Sequence, residues 1–238
     1  MGKNDEAIIL VGGLGTRLGS LTKNIPKPML PIRGIPFLER FLQHLKSCGF
    51  KKTVLATGYK SDVIESYFQS NPPSLPDIEI SLENEPLGTG GAIAKALEKI
   101  NTDEVTIFNG DSYLDVDYEA LLDAHLSKKA DITIASRYVD PANRYGVVSY
   151  DEHSRLIAFE EKGINTTGFI NGGVYLCQTK SLKEISKPFN GRPFSFEEDV
   201  LTKKLSLLEI YHFPSNGFFI DIGVPKDYER AQVELFNE

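Results

Sequence analysis

The hydrophobic positions in the first half of the chain form short runs that alternate with helical patterns. The runs have the length and composition of buried strands and lie at residues 7–11, 53–57, 78–82, 105–109 and 132–136. Between them, apolar residues recur at helical spacing, with helices expected to begin near Pro36, Ser61, Gly90 and Tyr118. Alternation of this kind is typical of βαβ units. The pattern therefore predicts an α/β fold, a three-layer α/β/α sandwich around a mostly parallel, mixed central sheet.

The second half of the chain follows a different pattern, in which strands are joined by turns. Residues 146–150 and 156–160 flank a polar turn at 151–154 and predict a β-hairpin. Further strands are expected at 169–176 and 218–222, helices at 180–186, 196–205 and 226–236, and a proline-rich surface loop at 71–77. We interpret this half as a small β-rich lobe on the same sheet. We expect a single domain over residues 1–238, with halves of about 1–135 and about 136–238.

Charge and composition exclude several classes of protein. The net charge of −7 argues against a nucleic-acid-binding surface, so any phosphate chemistry must lie in a local pocket. No apolar run approaches the roughly 20 residues of a membrane span, so we expect a cytoplasmic protein without a membrane partner. Cys48 and Cys177 are predicted to be buried, reduced packing residues, and the four histidines to have surface or packing roles. Homo-oligomerisation is left open.

The segment after the first strand carries the clearest chemical signal. The apolar run breaks into clustered glycines, whose backbone N–H groups can approach phosphate oxygens, although glycines alone would also fit an ordinary strand-to-helix turn. Arg17 and Lys27 add two positive charges to this loop. We therefore predict a nucleoside triphosphate site with Arg17 and Lys27 as its catalytic cations. Its expected backbone and hydroxyl contacts are Leu10, Gly12, Gly13, Gly15 and Thr16.

Two aspartates follow apolar strands at distant points of the chain. Asp111 comes after the strand that ends in Asn109 and Gly110, and Asp221 lies in a similar position in the second half. Either aspartate alone would also fit a turn or a helix cap. Magnesium takes one or two protein carboxylates together with phosphate oxygens and water. The pair beside a phosphate loop therefore predicts a Mg²⁺ site.

The chain resembles the sugar-1-phosphate nucleotidyltransferases. The motif Gly-Gly-x-Gly-Thr-Arg-Leu at 12–18, followed by Pro-Lys-Pro at 26–28, carries the resemblance, which covers almost the whole chain. It implies a Rossmann-like fold and a reaction in which a sugar 1-phosphate attacks the α-phosphorus of a nucleoside triphosphate and pyrophosphate leaves. It also implies that Asp111 and Asp221 hold the catalytic metal. The nucleophile is already an anion, so no protein base is required.

The resemblance also assigns a base-reading and a sugar-phosphate segment. The base-reading residues would be Glu83, Glu85, Gly88 and Thr89, and Asn109 and Gly110 would be further nucleotide contacts. Guanine presents two adjacent donors that one carboxylate can accept together, so Glu83, or in reserve Glu85, favours GTP, although both acids would also fit a solvated turn. The sugar-phosphate residues would be Tyr145, Gly146, Glu161, Lys162, Asn171 and Gly172.

Three motifs narrow the resemblance further. The segments 86–91, 194–197 and 219–228 are similar to those of D-glycero-α-D-manno-heptose 1-phosphate guanylyltransferases, which implies GTP and this heptose 1-phosphate as substrates. The alternatives are mannose 1-phosphate as the sugar, or uridylyl or cytidylyl transfer. A further alternative from another class is a catalytically silent regulatory domain that binds nucleotide sugars.

Overall fold

The computed structural model describes residues 5–13, 16–70, 77–160 and 167–235. The strands are β1 (Glu6–Leu10), β2 (Pro31–Ile32), β3 (Ile35–Pro36), β4 (Lys52–Thr57), β5 (Asp77–Leu82), β6 (Glu104–Asn109), β7 (Ser112–Leu114), β8 (Ile132–Val139), β9 (Val147–Tyr150), β10 (Leu156–Glu160), β11 (Gly168–Gln178), β12 (Ile210–Ser215) and β13 (Phe219–Asp221). The helices are α1 (Phe37–Ser47), α2 (Ser61–Ser70), α3 (Gly88–Ala96), α4 (Tyr118–Lys128), α5 (Thr179–Ser186) and α6 (Pro225–Glu234). Each of the five strands expected in the first half is present within a few residues of its predicted bounds.

A mixed sheet forms the centre of the molecule. Its strands run in the order β10-β9-β11-β6-β1-β4-β5, and β8 joins β11 to β12. The pairs β1–β4, β1–β6 and β4–β5 are parallel, whereas β11 is antiparallel to β6. Because β1, β4, β5 and β6 run in the same direction, the loops that follow them emerge at one edge of the sheet. This edge is where ligands bind in open α/β sheets.

Both faces of the sheet are covered, which explains the continuous apolar runs of the central strands. On β1, Ile9 packs into the core on the α1 side and Ile8 into the core on the α3 side, and both side chains are fully buried. On the first face, α1 contributes Phe41, whose ring meets that of Phe108 edge-on at 5.2 Å. The three-layer α/β/α architecture predicted from the sequence is confirmed.

The second half builds the lobe that the sequence indicated. Strands β9 and β10 form the expected antiparallel hairpin, and the hairpin joins the sheet where Val147 pairs with Ile170 of β11. The register of β11 against β8 shifts between Asn171 and Val174, which marks a β-bulge. Gly173 occupies this bulge with φ +74, a conformation that glycine adopts without strain.

Several sequence predictions differ from the structure. Residues 196–205 do not form one helix: a π-helix covers Phe196–Thr202 and a separate 3₁₀ turn covers Leu205–Leu207. Cys48 is exposed rather than buried, because it caps the end of α1 and the chain turns away at Gly49 with φ +93. Cys177 is buried as expected. The loop predicted at 71–77 lies outside the described residues except for Asp77, which begins β5.

Strand β7 is one of several small elements that the sequence did not predict. Strand β7 pairs antiparallel with β13, so that Ser112 lies opposite Asp221. The strand has only three residues, too few for a hydrophobic pattern.

No helix within the described ranges has both the length and the apolar character needed to cross a bilayer.

Candidate active site

A pocket of about 760 Å³ opens at the carboxyl edge of the parallel strands. Its lining gathers residues from distant parts of the chain. The sequence-predicted residues among them are Leu10, Gly12, Gly13, Lys27, Glu83, Glu85, Gly88, Thr89, Asn109, Gly110 and Asp111. The structure therefore brings together the described part of the glycine loop, the lysine, the base-reading segment and one of the paired aspartates.

The glycine loop is fixed by close backbone contacts. The Gly110 N–H donates to the Leu10 carbonyl oxygen at 2.9 Å, and a Cβ on Gly110 would lie 2.5 Å from that oxygen. Only glycine allows the end of β6 to lie so close to the end of β1. At Gly13, in contrast, no atom of the described residues lies within 4 Å of the position of a Cβ.

Two carboxylates meet at the edge of the pocket because β7 pairs with β13. The Ile222 N–H donates to the Asp111 carbonyl oxygen at 3.0 Å, which ties the two strand ends together. The Gly223 N–H then donates to Asp221 Oδ1 at 2.7 Å and orients that carboxylate. A Cβ on Gly223 would lie 2.7 Å from the same oxygen, so glycine is needed there. The unpredicted strand β7 is therefore what places the two predicted aspartates side by side.

Lys27 lies between these carboxylates. Its Nζ is 2.6 Å from Asp111 Oδ2 and 3.5 Å from Asp221 Oδ1, and the side chain is buried. Proline residues on both sides, Pro26 and Pro28, hold the short 3₁₀ turn that carries it. The positions between the two carboxylates therefore already hold one positive charge.

The donor set fits a small divalent cation that completes its shell with substrate. Asp111 and Asp221 offer carboxylate oxygens, which Mg²⁺ prefers, and Asp221 is oriented by the backbone. Within the described ranges, no group of three or more His, Cys, Asp or Glu residues could hold a metal. A cation here would have to take its other ligands from phosphate oxygens and water. This pattern is usual for Mg²⁺ in nucleotide sites.

Glu83 and Glu85 both line the pocket but are held differently. Glu83 follows β5, and its Oε2 accepts a hydrogen bond from the Leu87 N–H at 2.7 Å. Burial raises the pKa of the Glu83 carboxyl, and the Leu87 hydrogen bond opposes that rise. Glu85 is exposed. The fixed and partly buried carboxylate is that of Glu83, in agreement with the order in which the sequence ranked the two acids.

Three of the predicted sugar-phosphate residues, Gly146, Asn171 and Gly172, lie where β11 meets the lobe. Asn171 donates from Nδ2 to the Tyr175 hydroxyl at 2.6 Å, and its N–H donates to the Gly146 carbonyl at 2.9 Å. At Gly172, a Cβ would overlap Leu114, so this glycine serves packing between β11 and β7. Neither Asn171 nor Gly146 is among the residues that line the pocket of the described chain.

Tyr145 has a different environment. Its hydroxyl accepts from Arg144 at 2.6 Å, and Arg144 forms an ion pair with the buried Asp227. Burial raises the pKa of the Tyr145 phenol, and the negative charge of Asp221 acts in the same direction. Tyr145 therefore lies close enough to Asp221 to feel its charge.

Some predicted site residues cannot be placed. Gly15, Glu161 and Lys162 lie outside the described residues. Thr16 and Arg17 begin the helical segment Thr16–Thr22, but their side chains also lie outside what the structure describes. Their assignments stay predictions.

Sequence reasoning missed several residues that line the pocket of the described chain, and Glu197 is the charged one among them. It lies at the start of the π-helix, beside Thr89. The segment 194–197 carried only a resemblance, because no periodicity links it to the strand ends. The available signal was the pair of glycines at 88 and 90, which approach Phe194 closely.

No histidine is found among the residues that line the pocket of the described chain. His125 shares a hydrogen bond with Thr133 at 2.8 Å, and His212 shares one with Ser136 at 2.7 Å. Both imidazoles are buried, and burial lowers the pKa of each to about 4. They are packing residues, as the sequence predicted.

Comparison with known proteins gives consistent matches over the whole chain. The model of the nucleotidyl transferase family matches residues 6–238. A curated D-glycero-α-D-manno-heptose 1-phosphate guanylyltransferase of Aneurinibacillus thermoaerophilus is 46% identical over 230 residues, which cover 97% of this chain and 98% of the relative. A mannose-1-phosphate guanylyltransferase of Mycobacterium tuberculosis is 37% identical over 97% of this chain and 64% of its own length.

A solved structure has a similar fold. The crystal structure of HddC from Yersinia pseudotuberculosis complexed with GMP-PN superposes with a TM-score of 0.85, at 37% identity, and covers 98% of both chains. The glycine loop, the paired carboxylates and the full-length match agree with one another. The chain therefore belongs to the nucleotidyl transferase family.

Proposed function

We propose that this protein is a Mg²⁺-dependent guanylyltransferase that joins GTP to D-glycero-α-D-manno-heptose 1-phosphate and releases pyrophosphate. The observation that carries the proposal is the cluster of Lys27, Asp111 and Asp221 beside the glycine loop, with both Lys27–carboxylate distances at or below 3.5 Å. The substrate pair is supported by the relative of Aneurinibacillus thermoaerophilus, whose name specifies that activity.

The reaction requires alignment and charge neutralisation more than proton transfer. A phosphate oxygen of the sugar 1-phosphate forms a bond to the α-phosphorus of GTP, while the bond from that phosphorus to the α,β-bridging oxygen breaks. The attacking oxygen is already an anion, so the lack of a histidine among the described lining residues is no obstacle. Asp111 and Asp221 would hold Mg²⁺, which supplies charge neutralisation when bound. We assign Arg17 and Lys27 to the developing negative charge of the triphosphate.

Base selection is assigned to Glu83. Its Oε2 is held by the Leu87 N–H, so the carboxylate has a fixed direction at the pocket surface. Guanine offers a ring N–H and an exocyclic amine on one edge, and one carboxylate can accept both. Uracil and thymine offer one donor between two acceptors, so the same carboxylate would face an unpaired acceptor. Glu85 remains the reserve candidate.

For the sugar phosphate we keep Tyr145, Gly146, Glu161, Lys162, Asn171 and Gly172 as proposed contacts. The side chains of Asn171 and Tyr145 are held by hydrogen bonds to Tyr175 and Arg144, which supports defined orientations for both. Both substrates are multiply charged and do not cross a bilayer unaided, so we also propose that the enzyme acts in the cytoplasm. Homo-oligomerisation stays open.

Mannose 1-phosphate is the second candidate substrate. It is favoured by the mannose-1-phosphate guanylyltransferase of Mycobacterium tuberculosis, which is 37% identical over 97% of this chain. A silent regulatory domain is disfavoured, because such a domain has no need to retain Lys27, Asp111 and Asp221 in contact.

The test is a pyrophosphate-release screen of GTP, ATP, UTP, CTP and dTTP against heptose, mannose and glucose 1-phosphates. We expect the highest kcat/KM for GTP with D-glycero-α-D-manno-heptose 1-phosphate. Preference for UTP or dTTP would contradict the base assignment. A higher kcat/KM with mannose 1-phosphate would replace the sugar and leave guanylyl transfer intact.

A further inference from the structure

Glu197 presents an uncompensated carboxylate to the pocket. It lines the pocket at the start of the π-helix Phe196–Thr202 and is half-buried. Its Oε2 accepts hydrogen bonds from Thr89 Oγ1 at 2.7 Å and from Ser195 Oγ at 3.3 Å. Across the part of the chain that the structure describes, Oε1 receives no hydrogen bond and no cation pairs with the carboxylate. Half-burial of such a group is unfavourable unless donors satisfy it.

The chain holds this carboxylate in place through several long-range contacts. Phe194 exchanges backbone hydrogen bonds with Leu87 and Gly90, both at 3.0 Å, and the Phe196 N–H donates to Thr89 Oγ1 at 2.9 Å. A Cβ on Gly88 would lie 2.5 Å from the Phe194 carbonyl oxygen, and a Cβ on Gly90 would overlap the Phe194 ring. The start of the π-helix is therefore bound tightly to the start of α3, and Glu197 has little freedom to turn away.

The surroundings of Glu197 are rich in hydroxyl and amide groups. The Phe196 ring packs edge-on against Tyr175 at 5.2 Å, which ties the π-helix to β11. The Tyr175 hydroxyl is hydrogen-bonded by the side chains of Asn171 and Asn109. Burial raises the pKa of the Tyr175 phenol, and the negative charge of Glu197 contributes in the same direction. Glu197 is thus near the same hydrogen-bonded group that fixes Asn171 and Asn109.

The negative charge of the Glu197 carboxylate determines which part of the substrates can bind beside it. A phosphate would be repelled by the carboxylate, and Lys27, Asp111 and the glycine loop already provide for phosphate and metal. Hydroxyl groups are the complementary partners, because each donates one hydrogen bond to a carboxylate oxygen. Two sources of vicinal hydroxyls enter this pocket under the proposed function: the ring of the sugar 1-phosphate and the ribose of GTP. Glu197 is connected through Tyr175 to Asn171 and the β11 bulge, which lie in the half assigned to the sugar. This connection favours the ring of the sugar 1-phosphate.

We infer that Glu197, anchored by Thr89, is a specificity-determining residue that accepts hydrogen bonds from vicinal ring hydroxyls of the sugar 1-phosphate. This inference rests on the proposed function and adds a residue to its sugar subsite. Oε1 provides the free acceptor with two lone pairs, whereas the lone pairs of Oε2 accept from Thr89 and Ser195.

Glu197→Gln is the test, with Glu198→Gln as the matched control. The glutamine keeps the shape and an acceptor for Thr89 but replaces one acceptor oxygen with a donor. Glu198 is exposed and pairs with Lys203 at 2.9 Å, away from the pocket lining. For E197Q we expect KM for D-glycero-α-D-manno-heptose 1-phosphate to rise about 10- to 100-fold, with kcat and KM for GTP changing less than about twofold. E198Q should match the wild type.

A deoxy series identifies the bonded hydroxyl. For the wild type, one monodeoxy analogue of the heptose 1-phosphate should have a lower kcat/KM than the full substrate, by about the same factor as the Glu197→Gln change causes. For E197Q, the kcat/KM values of that analogue and of the full substrate should be similar. If E197Q is poorly folded by circular dichroism, Glu197→Asp replaces it. The aspartate keeps the negative charge but draws the carboxylate back by one methylene, so it should raise KM for the sugar phosphate and leave KM for GTP unchanged.

The outcomes are distinct. Equal KM values for E197Q and E198Q would overturn the inference and leave Glu197 as a structural contact. A rise in KM for GTP, with lost discrimination between GTP and 2′-deoxy-GTP, would also overturn it and assign Glu197 to the ribose. A wild type that makes no nucleotide sugar from GTP would contradict the proposed function itself.

Discussion

The two halves of the pocket are built in different ways. On the nucleotide side, Gly12, Gly13, Glu83 and Gly110 follow directly after parallel strands, and backbone contacts such as Gly110 to Leu10 at 2.9 Å fix them. On the side proposed for the sugar, Glu197 lines the pocket from a π-helix and Asn171 lies outside the lining at a β-bulge, and contacts with distant segments hold the π-helix. The sheet fixes the position of a loop at the end of a buried strand. The residues on the side proposed for the sugar are instead positioned by packing between distant segments. Changes in the two halves should therefore have different consequences.

The largest effect is expected at the junction of the two halves, where β7 and β13 bring the carboxylates together. Replacement of Asp111 or Asp221 by Asn should lower kcat by about three powers of ten, or about 4 kcal/mol of barrier, because a metal ligand is lost. Stability should change much less, since Lys27 keeps one carboxylate partner in either variant. Steady-state kinetics at saturating Mg²⁺ and urea unfolding provide the measurements. Asp115→Asn is an exposed control, and turnover at the wild-type rate by either site variant would remove that aspartate from the metal site.

Lys27→Met should slow catalysis while it strengthens binding of a divalent metal. Its loss should reduce kcat by about two to three powers of ten, the usual scale for one preorganised charge contact. Without the ammonium group between Asp111 and Asp221, the nucleotide-free enzyme should bind Mn²⁺ more tightly, because the competing charge is gone. Electron paramagnetic resonance of free Mn²⁺ measures this affinity. Lys51→Met, at an exposed lysine paired with Asp5, is the control. Weaker Mn²⁺ binding by the Lys27 variant would contradict the account.

Acid should destabilise the protein through buried histidines that pack on β8. Burial lowers the pKa of His125 and of His212 to about 4, against about 6.5 in an unfolded chain. Their contribution to stability is complete above about pH 6.5 and is lost as the pH falls towards about 4, because the unfolded chain takes up protons first. Each should contribute about 2–3 kcal/mol to this loss. Urea unfolding from pH 7 to 4.5 measures it, and His125→Gln should flatten the profile whereas the exposed His153→Gln should not. Equal slopes for both variants would refute the prediction.

The smallest effect concerns the nucleotide side alone. Glu83→Gln should reduce the preference for GTP over UTP by about 1–3 kcal/mol, because an amide offers guanine only one acceptor. Glu85→Gln, at the exposed neighbour, should change the ratio of the two kcat/KM values little. Erosion of the preference by the Glu85 change but not by the Glu83 change would exchange their roles.

The positions of the residues proposed to bind the nucleotide could be predicted from the sequence for a physical reason. Apolar runs place the strand ends, and Gly12, Glu83 and Asp111 lie within a few residues of those ends, so their positions follow from parallel pairing. Glu197 could not be found in this way, because its position depends on the contact of Phe194 with Gly88 and Gly90 across more than a hundred residues. The pairing of β7 with β13 was missed for the same reason. Cys48 was assigned to the core although it lies near the end of a predicted helix, because the apolar pattern does not show that the chain turns away at Gly49.

The most direct test of the account follows the oxygen atoms of the sugar phosphate. Heptose 1-phosphate labelled with ¹⁸O at its three non-bridging phosphate oxygens is incubated with GTP, Mg²⁺ and the enzyme, and the products are analysed by mass spectrometry. Attack on the α-phosphorus predicts that GDP-heptose retains all of the label and that pyrophosphate carries none, with product formation suppressed in the Asp111→Asn and Asp221→Asn variants. Label in the released pyrophosphate, or unchanged product formation by both variants, would contradict nucleotidyl transfer at the paired carboxylates.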